Sequence, residues 1–259
     1  MQVIIIAAGR GQRLMPTTAD APKCFAEVAG RRLLDWALDA FRANGLDRIG
    51  LIGGYQIDRI RESYPDLTIR ENAQWPHNNI LASLFCAEDL MGSESGFLCC
   101  YSDILFTADV VARLKASPAD MALGVDTEWL VRYEHRTDHP PDDAEKITSS
   151  DRRVARIDRR IAPDEAYGEY IGVAKFSREG ARRLRDHYHR CRALHAGRPW
   201  RGAASFEKAY KILLFQEMIE NGESFAHVDT PGGYVEVDTQ QDYDYARSHW
   251  VRRHLGRSP

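Results

Sequence analysis

The first strand of this chain is defined by an uninterrupted apolar run. Residues 2–8 read QVIIIAA and are followed by Gly9. A run without alternating polar residues is typical of a strand buried on both faces, as in a parallel sheet that helices cover on both sides. The chain therefore begins with a central strand of an α/β domain.

The segments that follow alternate between helix and strand patterns. Apolar residues at helical spacing predict a helix over 31–44, and RIGLIGG predicts a second strand over 48–54. The right-handed crossover rule makes these two strands parallel. Further strands are predicted at 67–70, 96–100, 121–126, 153–157 and 170–176, and further helices at 80–90, 178–196 and 209–221. The first hundred residues thus form a doubly wound half, and the later strands are expected to form a mixed-sheet lid over it.

The composition favours one domain that acts on small molecules. With 259 residues, of which 44% are hydrophobic, the chain can bury one large core. A formal net charge of −3 provides no global field that would hold nucleic acid or an anionic membrane. The first apolar run is too short to span a bilayer and lacks the flanking segments of a signal peptide. The five cysteines lack metal-ligand spacing, which indicates reduced thiols. We therefore expect a cytoplasmic protein.

The predicted helix over 178–196 is dense in arginine and histidine. Its segment RRLRDHYHRCR suits an anion-binding surface, a solvated face or a contact between subunits. The last two are favoured because runs of charge usually face water or a partner surface. A homodimer is therefore left open.

The loop after the first strand suits a polyphosphate. Its glycines let the backbone approach an anion, so that successive N–H groups point at phosphate oxygens. The loop lacks both the third glycine of a dinucleotide fold and the Gly-Lys-Ser/Thr of a P-loop. Arg13 offers a planar fork for phosphate oxygens, and Lys23 supplies a point charge for a transferring phosphoryl group. These residues are the predicted phosphate-binding set: Ala8, Gly9, Gly11, Arg13 and Lys23.

The same loop carries a family resemblance. Its pattern G-x-G-x-R-L-x-P-x-T over 9–18, with Lys23 five residues later, resembles the signature of the nucleotidyltransferases that activate sugar phosphates and phosphocholine. Two later segments resemble that family's metal-binding elements, FLCCYSD at 97–103 and YVEVDT at 234–239. The resemblance implies Mg²⁺ bound by Asp103 and Asp238, and Ser102 at the nucleotide. The chain departs from the family pattern at Tyr101, where the family usually has an Asp.

Two carboxylates suit nucleotidyl transfer chemically. The acceptor phosphate attacks the α-phosphorus of a nucleoside triphosphate, so both reactants are anions. Mg²⁺ prefers oxygen ligands and commonly binds one or two carboxylates together with substrate phosphates. No general base is required, because the attacking oxygen is already deprotonated near neutral pH. Positioning of the reactants and neutralisation of their charge are expected to supply the rate enhancement. Lys23 and Arg13 are the candidate catalytic residues.

An asparagine-rich segment indicates the nucleotide. Residues 72–84, NAQWPHNNILASL, resemble the corresponding element of phosphocholine and phosphonate cytidylyltransferases. Asn79 has a donor and an acceptor for the cytosine edge, and Ser83 lies one helical turn later. Asn79 is equally suited to cap the helix that begins at Ile80. The segment favours CTP as the nucleotide.

The acceptor site is sought in two lid segments that resemble the same subgroup. Glu145 or Glu169 is suited to hold an ammonium group, and Lys146 to neutralise the acceptor phosphate. Trp129, Tyr133 and Tyr170 form a candidate aromatic box for a quaternary ammonium, with packing in the core as the alternative. The same residues suit the primary amine of 2-aminoethylphosphonate. The predicted acceptor-binding residues are Trp129, Glu145, Lys146, Glu169 and Tyr170.

The sequence as a whole predicts an α/β protein with a Rossmann-like doubly wound mixed sheet, similar to the nucleotidyltransferase and GT-A-like folds, and a smaller acceptor-binding lid. A single domain over 1–259 is expected, divided into a nucleotide-binding half (1–120), the lid and helices (121–230), and the second metal-binding element with a C-terminal helix (231–259). The predicted function is CMP transfer from CTP to phosphocholine or a 2-aminoethylphosphonate-like acceptor, with release of pyrophosphate. The alternatives are a sugar-1-phosphate nucleotidyltransferase that uses UTP or dTTP, and a non-catalytic nucleotide sensor.

Overall fold

The computed structural model of the protein describes residues 1–134, 136–138 and 140–255. The predicted C-terminal element at 231–259 thus extends by residues 256–259 beyond the described part. The strands are β1 Gln2–Ala7, β2 Glu27–Val28, β3 Arg31–Arg32, β4 Ile49–Gly53, β5 Thr68–Glu71, β6 Phe97–Tyr101, β7 Ile104–Phe106, β8 Met121–Asp126, β9 Lys146–Ser150, β10 Arg153–Ile157, β11 Gly168–Phe176, β12 Ala226–Asp229 and β13 Tyr234–Glu236. The helices are α1 Leu33–Arg42, α2 Ile57–Ser63, α3 Ile80–Phe85, α4 Ala108–Ala116, α5 Trp129–Tyr133, α6 Arg178–His195, α7 Lys211–Glu220, α8 Gln240–Tyr245 and α9 Val251–Leu255.

Strand β1 lies inside a mixed sheet, as its apolar run predicts. The sheet order among the described residues is β5-β4-β1-β6-β11-β8-β12-β10-β9, and β1 is parallel to both β4 and β6. Its side chains alternate between two cores: Ile4 and Ile6 pack into one, whereas Val3 and Ile5 pack into the other. Every residue of β1 is buried. The predicted α/β fold class and the parallel β1–β4 pair are confirmed.

The strands of the second half extend this sheet rather than lying over the first half as the expected mixed-sheet lid. Strand β11 is antiparallel to β6 on one side and to β8 on the other. The backbone groups of β11 are therefore satisfied within one sheet that runs from the first half into the second. Strands β9 and β10 lie at its far edge, and β9 also pairs with the start of β11. The three-part division of the chain stays a prediction.

The arginines of helix α6 form ion pairs with neighbouring carboxylates. Arg182 and Arg183 both bind Glu179, and Arg185 binds Glu88. This pattern is that of a solvated face rather than of an anion site.

In the part of the chain that the structure describes, no helix is long and apolar enough to cross a membrane.

Candidate active site

Three distant segments meet at the ammonium group of Lys23. Its Nζ donates to Asp103 Oδ2 at 2.7 Å and to Asp238 Oδ1 at 2.5 Å. The Lys23 side chain is 9% exposed. Burial alone would lower the pKa of Lys23, but the two carboxylates outweigh it and raise that pKa above its ordinary value. Lys23 is therefore a fixed positive charge between the two predicted metal ligands.

The backbone brings the two aspartates together. Asp103 lies in the turn between β6 and β7, and β7 pairs with β13, which Asp238 follows by two residues. The N–H of Val237 donates to the carbonyl oxygen of Asp103 at 2.8 Å. Asp238 is in turn held by its own N–H, which donates to Asp242 Oδ2 at 3.1 Å. The pairing of two short strands thus fixes the separation of the carboxylates.

The glycine loop wraps around Lys23. Gly11 has a φ of +71°, and a Cβ at this position would lie 2.7 Å from the Lys23 side chain. Thr18 Oγ1 donates to the carbonyl oxygen of Gly11 at 2.8 Å, which closes the loop. Arg13 extends from the loop to ion pairs with Asp238 and, at 3.5 Å, with Asp143. Glycine at position 11 is therefore required both by the backbone angle and by the position of the lysine.

A cavity of about 230 Å³ opens beside this cluster. We call it the first cavity. It is lined by most of the predicted nucleotide and metal residues, namely Ala8, Gly9, Arg13, Lys23, Asn79, Ser83, Ser102, Asp103 and Asp238. Trp75, Asn78 and Glu236 also line it. Gly11 is not among the described residues that line the first cavity, but it packs against the side chain of Lys23, which does line it.

Two residues that line the first cavity, Asn78 and Ser83, are connected through the buried side chain of Asn72. The side-chain amides of Asn72 and Asn78 exchange two hydrogen bonds of 2.9 Å, and Asn72 Nδ2 also donates to Ser83 Oγ at 2.9 Å. Asn79 Oδ1 accepts from the N–H of Ile80 at 2.8 Å, so the predicted helix cap is present. Asn79 Nδ2 donates to the carbonyl oxygen of Lys208. Both polar ends of Asn79 are therefore engaged, and so are both ends of the Asn78 amide and the Ser83 hydroxyl. A base contact of Asn79 stays a prediction.

A second cavity of about 190 Å³ shares its wall with the first. Arg13, Tyr101, Glu145 and Arg159 line both. Tyr101 donates its hydroxyl to Glu145 Oε2 at 3.0 Å. Burial raises the pKa of Glu145 above its ordinary value, against the opposing effect of Arg159. The second cavity also contacts Glu169 and Tyr170, so three of the five predicted acceptor residues lie around it.

The structure does not place Trp129 and Lys146 at the site, because the described residues that line the two cavities include neither. Trp129 packs in a small core with Tyr133 and Ala144. Lys146 Nζ donates to the carbonyl oxygen of Pro141 at 2.8 Å and to that of Ala144. Consecutive side chains of an extended segment point to opposite sides, so Lys146 turns away when Glu145 faces the cavity. Both residues hold the segment before β9 in place.

The proposed aromatic box does not form. Trp129 and Tyr133 pack edge to face, with ring centroids 5.6 Å apart. Tyr170 packs instead against Tyr101 and Phe215. The alternative interpretation, that these rings pack the interior, is the one that the structure supports.

Glu169 lies at the second cavity but is committed to an internal ion network. Its carboxylate binds the Arg132 guanidinium and accepts from the Tyr133 hydroxyl at 3.0 Å. Arg132 binds Asp126 as well, and all three charged side chains are buried. Both oxygens of the Glu169 carboxylate are therefore occupied by side chains of the protein itself.

This network gives a stability prediction. Replacing Arg132 with Met is expected to lower the free energy of unfolding by about 3–5 kcal/mol, because Asp126 and Glu169 would remain buried without their shared cation. Urea unfolding followed by circular dichroism measures the change. The control is Arg182→Met on the exposed face of α6, where the loss is expected to stay below about 1 kcal/mol. Equal losses in both variants would contradict this account.

Arg159 and Tyr210 are among the cavity residues that the sequence analysis did not identify. Both line the first and second cavities, and the Arg159 guanidinium lies 4.0 Å from the centroid of the Tyr210 ring. Arg159 occurs in a segment with several arginines and carries no local signal of its own. Its neighbour Arg160 is exposed and bound to Asp158. Only tertiary structure separates the two.

The chain is similar in sequence to known proteins. The family model for the MobA-like NTP transferase domain matches residues 3–162, which is more than half of the chain. CTP:phosphoglutamine cytidylyltransferase of Campylobacter jejuni is 28% identical over 254 residues, which cover 94% of this chain and 98% of that protein. 2-Aminoethylphosphonate cytidylyltransferase of Lancefieldella rimae is 31% identical over 99 residues, or 37% of this chain and 40% of that protein.

A solved structure supports the fold. The structure of CTP:phosphocholine cytidylyltransferase from Streptococcus pneumoniae superimposes with a TM-score of 0.71 at 18% identity, covering 95% of this chain and 97% of the other. The predicted nucleotidyltransferase fold is thereby confirmed. Together with the match over residues 3–162, these findings show that the chain belongs to the MobA-like NTP transferase domain family.

Proposed function

We propose that this protein is a Mg²⁺-dependent cytidylyltransferase that moves CMP from CTP to a small phosphate or phosphonate acceptor and releases pyrophosphate. The observation that carries the proposal is the placement of Lys23 between Asp103 and Asp238, beside a cavity lined by the glycine loop. The relatives named for CTP-dependent transfer to phosphoglutamine and 2-aminoethylphosphonate support the same reaction. Cytoplasmic location and a homodimer stay predictions from the sequence.

The aspartates suit a magnesium ion. Both carboxylates already converge on one cation, the Lys23 ammonium, and carboxylate oxygens are the ligands that Mg²⁺ prefers. The described residues contain no cluster of three or more His, Cys, Asp or Glu side chains able to hold a metal. Mg²⁺ at Asp103 and Asp238 would therefore take its remaining ligands from water and substrate phosphates, as it commonly does. When bound, it would neutralise phosphate charge.

The chain's own residues position the reaction. An acceptor oxygen forms a bond to the α-phosphorus of CTP, and the bond from that phosphorus to the pyrophosphate oxygen breaks. The acceptor oxygen carries no proton to be removed, so the site needs no general base. Lys23 and Arg13 offer positive charge where negative charge shifts between α-phosphate and leaving group. The loop backbone at Gly9, which lines the first cavity and has open space where a Cβ would lie, is accessible to phosphates.

The presence of both carboxylates argues against a sensor without catalytic activity. A protein that only binds a nucleotide does not require Lys23 to be held between two aspartates, whereas in-line displacement on phosphorus requires concentrated positive charge and a metal. We assign recognition of the nucleotide base to Asn78, Asn79 and Ser83. Uridylyl or thymidylyl transfer to a sugar 1-phosphate is the outcome that would replace the proposal.

Incubation with CTP, Mg²⁺ and an acceptor is expected to release pyrophosphate, and omission of the acceptor is expected to abolish the release. The acceptors are phosphocholine, 2-aminoethylphosphonate and phosphoglutamine. A coupled assay with inorganic pyrophosphatase measures the pyrophosphate released. CTP at 100 times its dissociation constant is expected to stabilise the fold by about 2.7 kcal/mol, which gives a larger rise in melting temperature than UTP or dTTP. Turnover with UTP or dTTP and a sugar 1-phosphate, but with none of these acceptors, would overturn the proposal.

A further inference from the structure

We propose that Arg159 selects acceptors that carry a carboxylate next to their ammonium group, which makes phosphorylated or phosphonate amino acids the acceptor class. This inference rests on the proposed function, because it specifies the acceptor of the same reaction.

Arg159 connects the two cavities. It lies two residues after β10 and lines both the cavity that contains Lys23 and the second cavity beside it. Arg13, Asp238 and Glu236 are also shared by both cavities. An acceptor whose phosphoryl end lies near Arg13 therefore extends its other end along the wall that Arg159 and Tyr210 form.

The guanidinium of Arg159 is held in place but only weakly paired. Its plane is supported by the Tyr210 ring at 4.0 Å, and its closest carboxylate, Glu145 Oε1, is 3.5 Å away. Its Nε is buried and makes no hydrogen bond to any described residue. A guanidinium has five donors in a planar fork that matches a carboxylate in a bidentate geometry. Arg159 is thus a preorganised site for a planar anion.

The carboxylate of Glu145, next to Arg159, is suited to bind the ammonium group of the same ligand. Glu145 is buried at the common wall, oriented by the Tyr101 hydroxyl, and is less committed than Glu169. The ammonium and carboxylate of an α-amino acid are attached to one carbon, and Glu145 and Arg159 are likewise adjacent. An acceptor with an ammonium alone, such as phosphocholine, would leave the fork of Arg159 unused and place a second cation beside it. The charge pattern therefore favours a zwitterionic tail.

The competing role for Arg159 is to bind the acceptor's phosphoryl oxygens. Matched acceptor pairs separate the two roles, because each pair differs by one carboxylate and keeps the same phosphorus group. One pair is 2-amino-3-phosphonopropionate and 2-aminoethylphosphonate. A longer pair is phosphoglutamine and its decarboxylated counterpart. The measurement is kcat/KM for pyrophosphate release at saturating CTP and Mg²⁺.

The wild-type enzyme is expected to prefer the carboxylated member of at least one pair by about 10- to 100-fold, the range of one or two charge-assisted hydrogen bonds. Arg159→Met is expected to remove that preference mainly through KM, so that the ratio within the pair falls towards one. Arg160→Met, one residue away and exposed, is the matched control and is expected to keep the wild-type ratio. Glu145→Gln is expected to weaken both members of a pair, because both carry the ammonium.

Equal loss for both members in Arg159→Met would assign Arg159 to the phosphoryl group and overturn the inference. A wild-type preference for the decarboxylated members would overturn it as well, while leaving cytidylyl transfer intact. The absence of pyrophosphate with every acceptor would instead contradict the proposed function. In that case, acceptor-induced shifts in melting temperature without CTP still compare the pair members and the two arginine variants. Equal shifts would then reject the role of Arg159.

Discussion

Lys23→Ala is expected to lower kcat by about 100- to 1,000-fold while changing the affinity for CTP by less than about tenfold. The ammonium of Lys23 is fixed between Asp103 and Asp238, so it is preorganised beside the carboxylates that neighbour the reacting phosphates. A positive charge that is already in position stabilises charge that develops in the transition state more than it stabilises bound substrate. Pyrophosphate release gives kcat, and calorimetry with CTP gives the affinity.

The control for this prediction is Lys115→Ala. Lys115 is exposed, and its ammonium donates only to the carbonyl oxygen of Asn44 at 2.7 Å among the contacts of the described residues. This variant is expected to keep the wild-type kcat. The melting temperature of Lys23→Ala must be measured too, because the substitution leaves two carboxylates facing each other. A folded Lys23→Ala enzyme with unchanged kcat would show that Lys23 does not act at the transferring phosphorus.

Much of the fold could be predicted because buried parallel strands have a strong sequence signal. The run at 2–8 gives β1, and the predicted strands at 121–126 and 153–157 coincide with β8 and β10. The partners of these strands could not be predicted. A burial pattern indicates that a strand is covered on both faces, but it does not indicate which neighbour receives its hydrogen bonds. For this reason the central place of β11 was missed.

The site divides in the same way. The resemblance of three motifs to the nucleotidyltransferase signature implied that Lys23, Asp103 and Asp238 act together, and in the structure both carboxylates contact the Lys23 ammonium. Acceptor residues were harder to predict, because their assignment depends on which side of an extended segment a side chain occupies. Lys146, for example, binds backbone carbonyl oxygens instead of lining either of the two cavities. Arg159 was missed because its value comes from tertiary position, with a tyrosine from the start of α7 beneath its guanidinium.

The two aspartates give the second large effect. Asp103→Asn and Asp238→Asn are each expected to lower kcat by at least about 100-fold, since each removes one anionic ligand from a site that has few protein ligands. Asparagine keeps the size of the side chain, so the turn between β6 and β7 and the start of α8 should fold normally. The rate as a function of Mg²⁺ concentration is the measurement, with EDTA-treated enzyme as its zero point.

The loss should be larger for Asp238→Asn than for Asp103→Asn, because Asp238 binds both Lys23 and Arg13 and is the more buried of the two. The double variant should lose little more than Asp238→Asn alone, since both carboxylates serve one ion and their effects are not independent. Asp89→Asn, on an exposed ion pair with Arg70, is the control and should leave the Mg²⁺ dependence unchanged. If either site variant kept the wild-type Mg²⁺ dependence, that aspartate would not hold the ion. Fully additive losses in the double variant would instead indicate two separate functions for the two carboxylates.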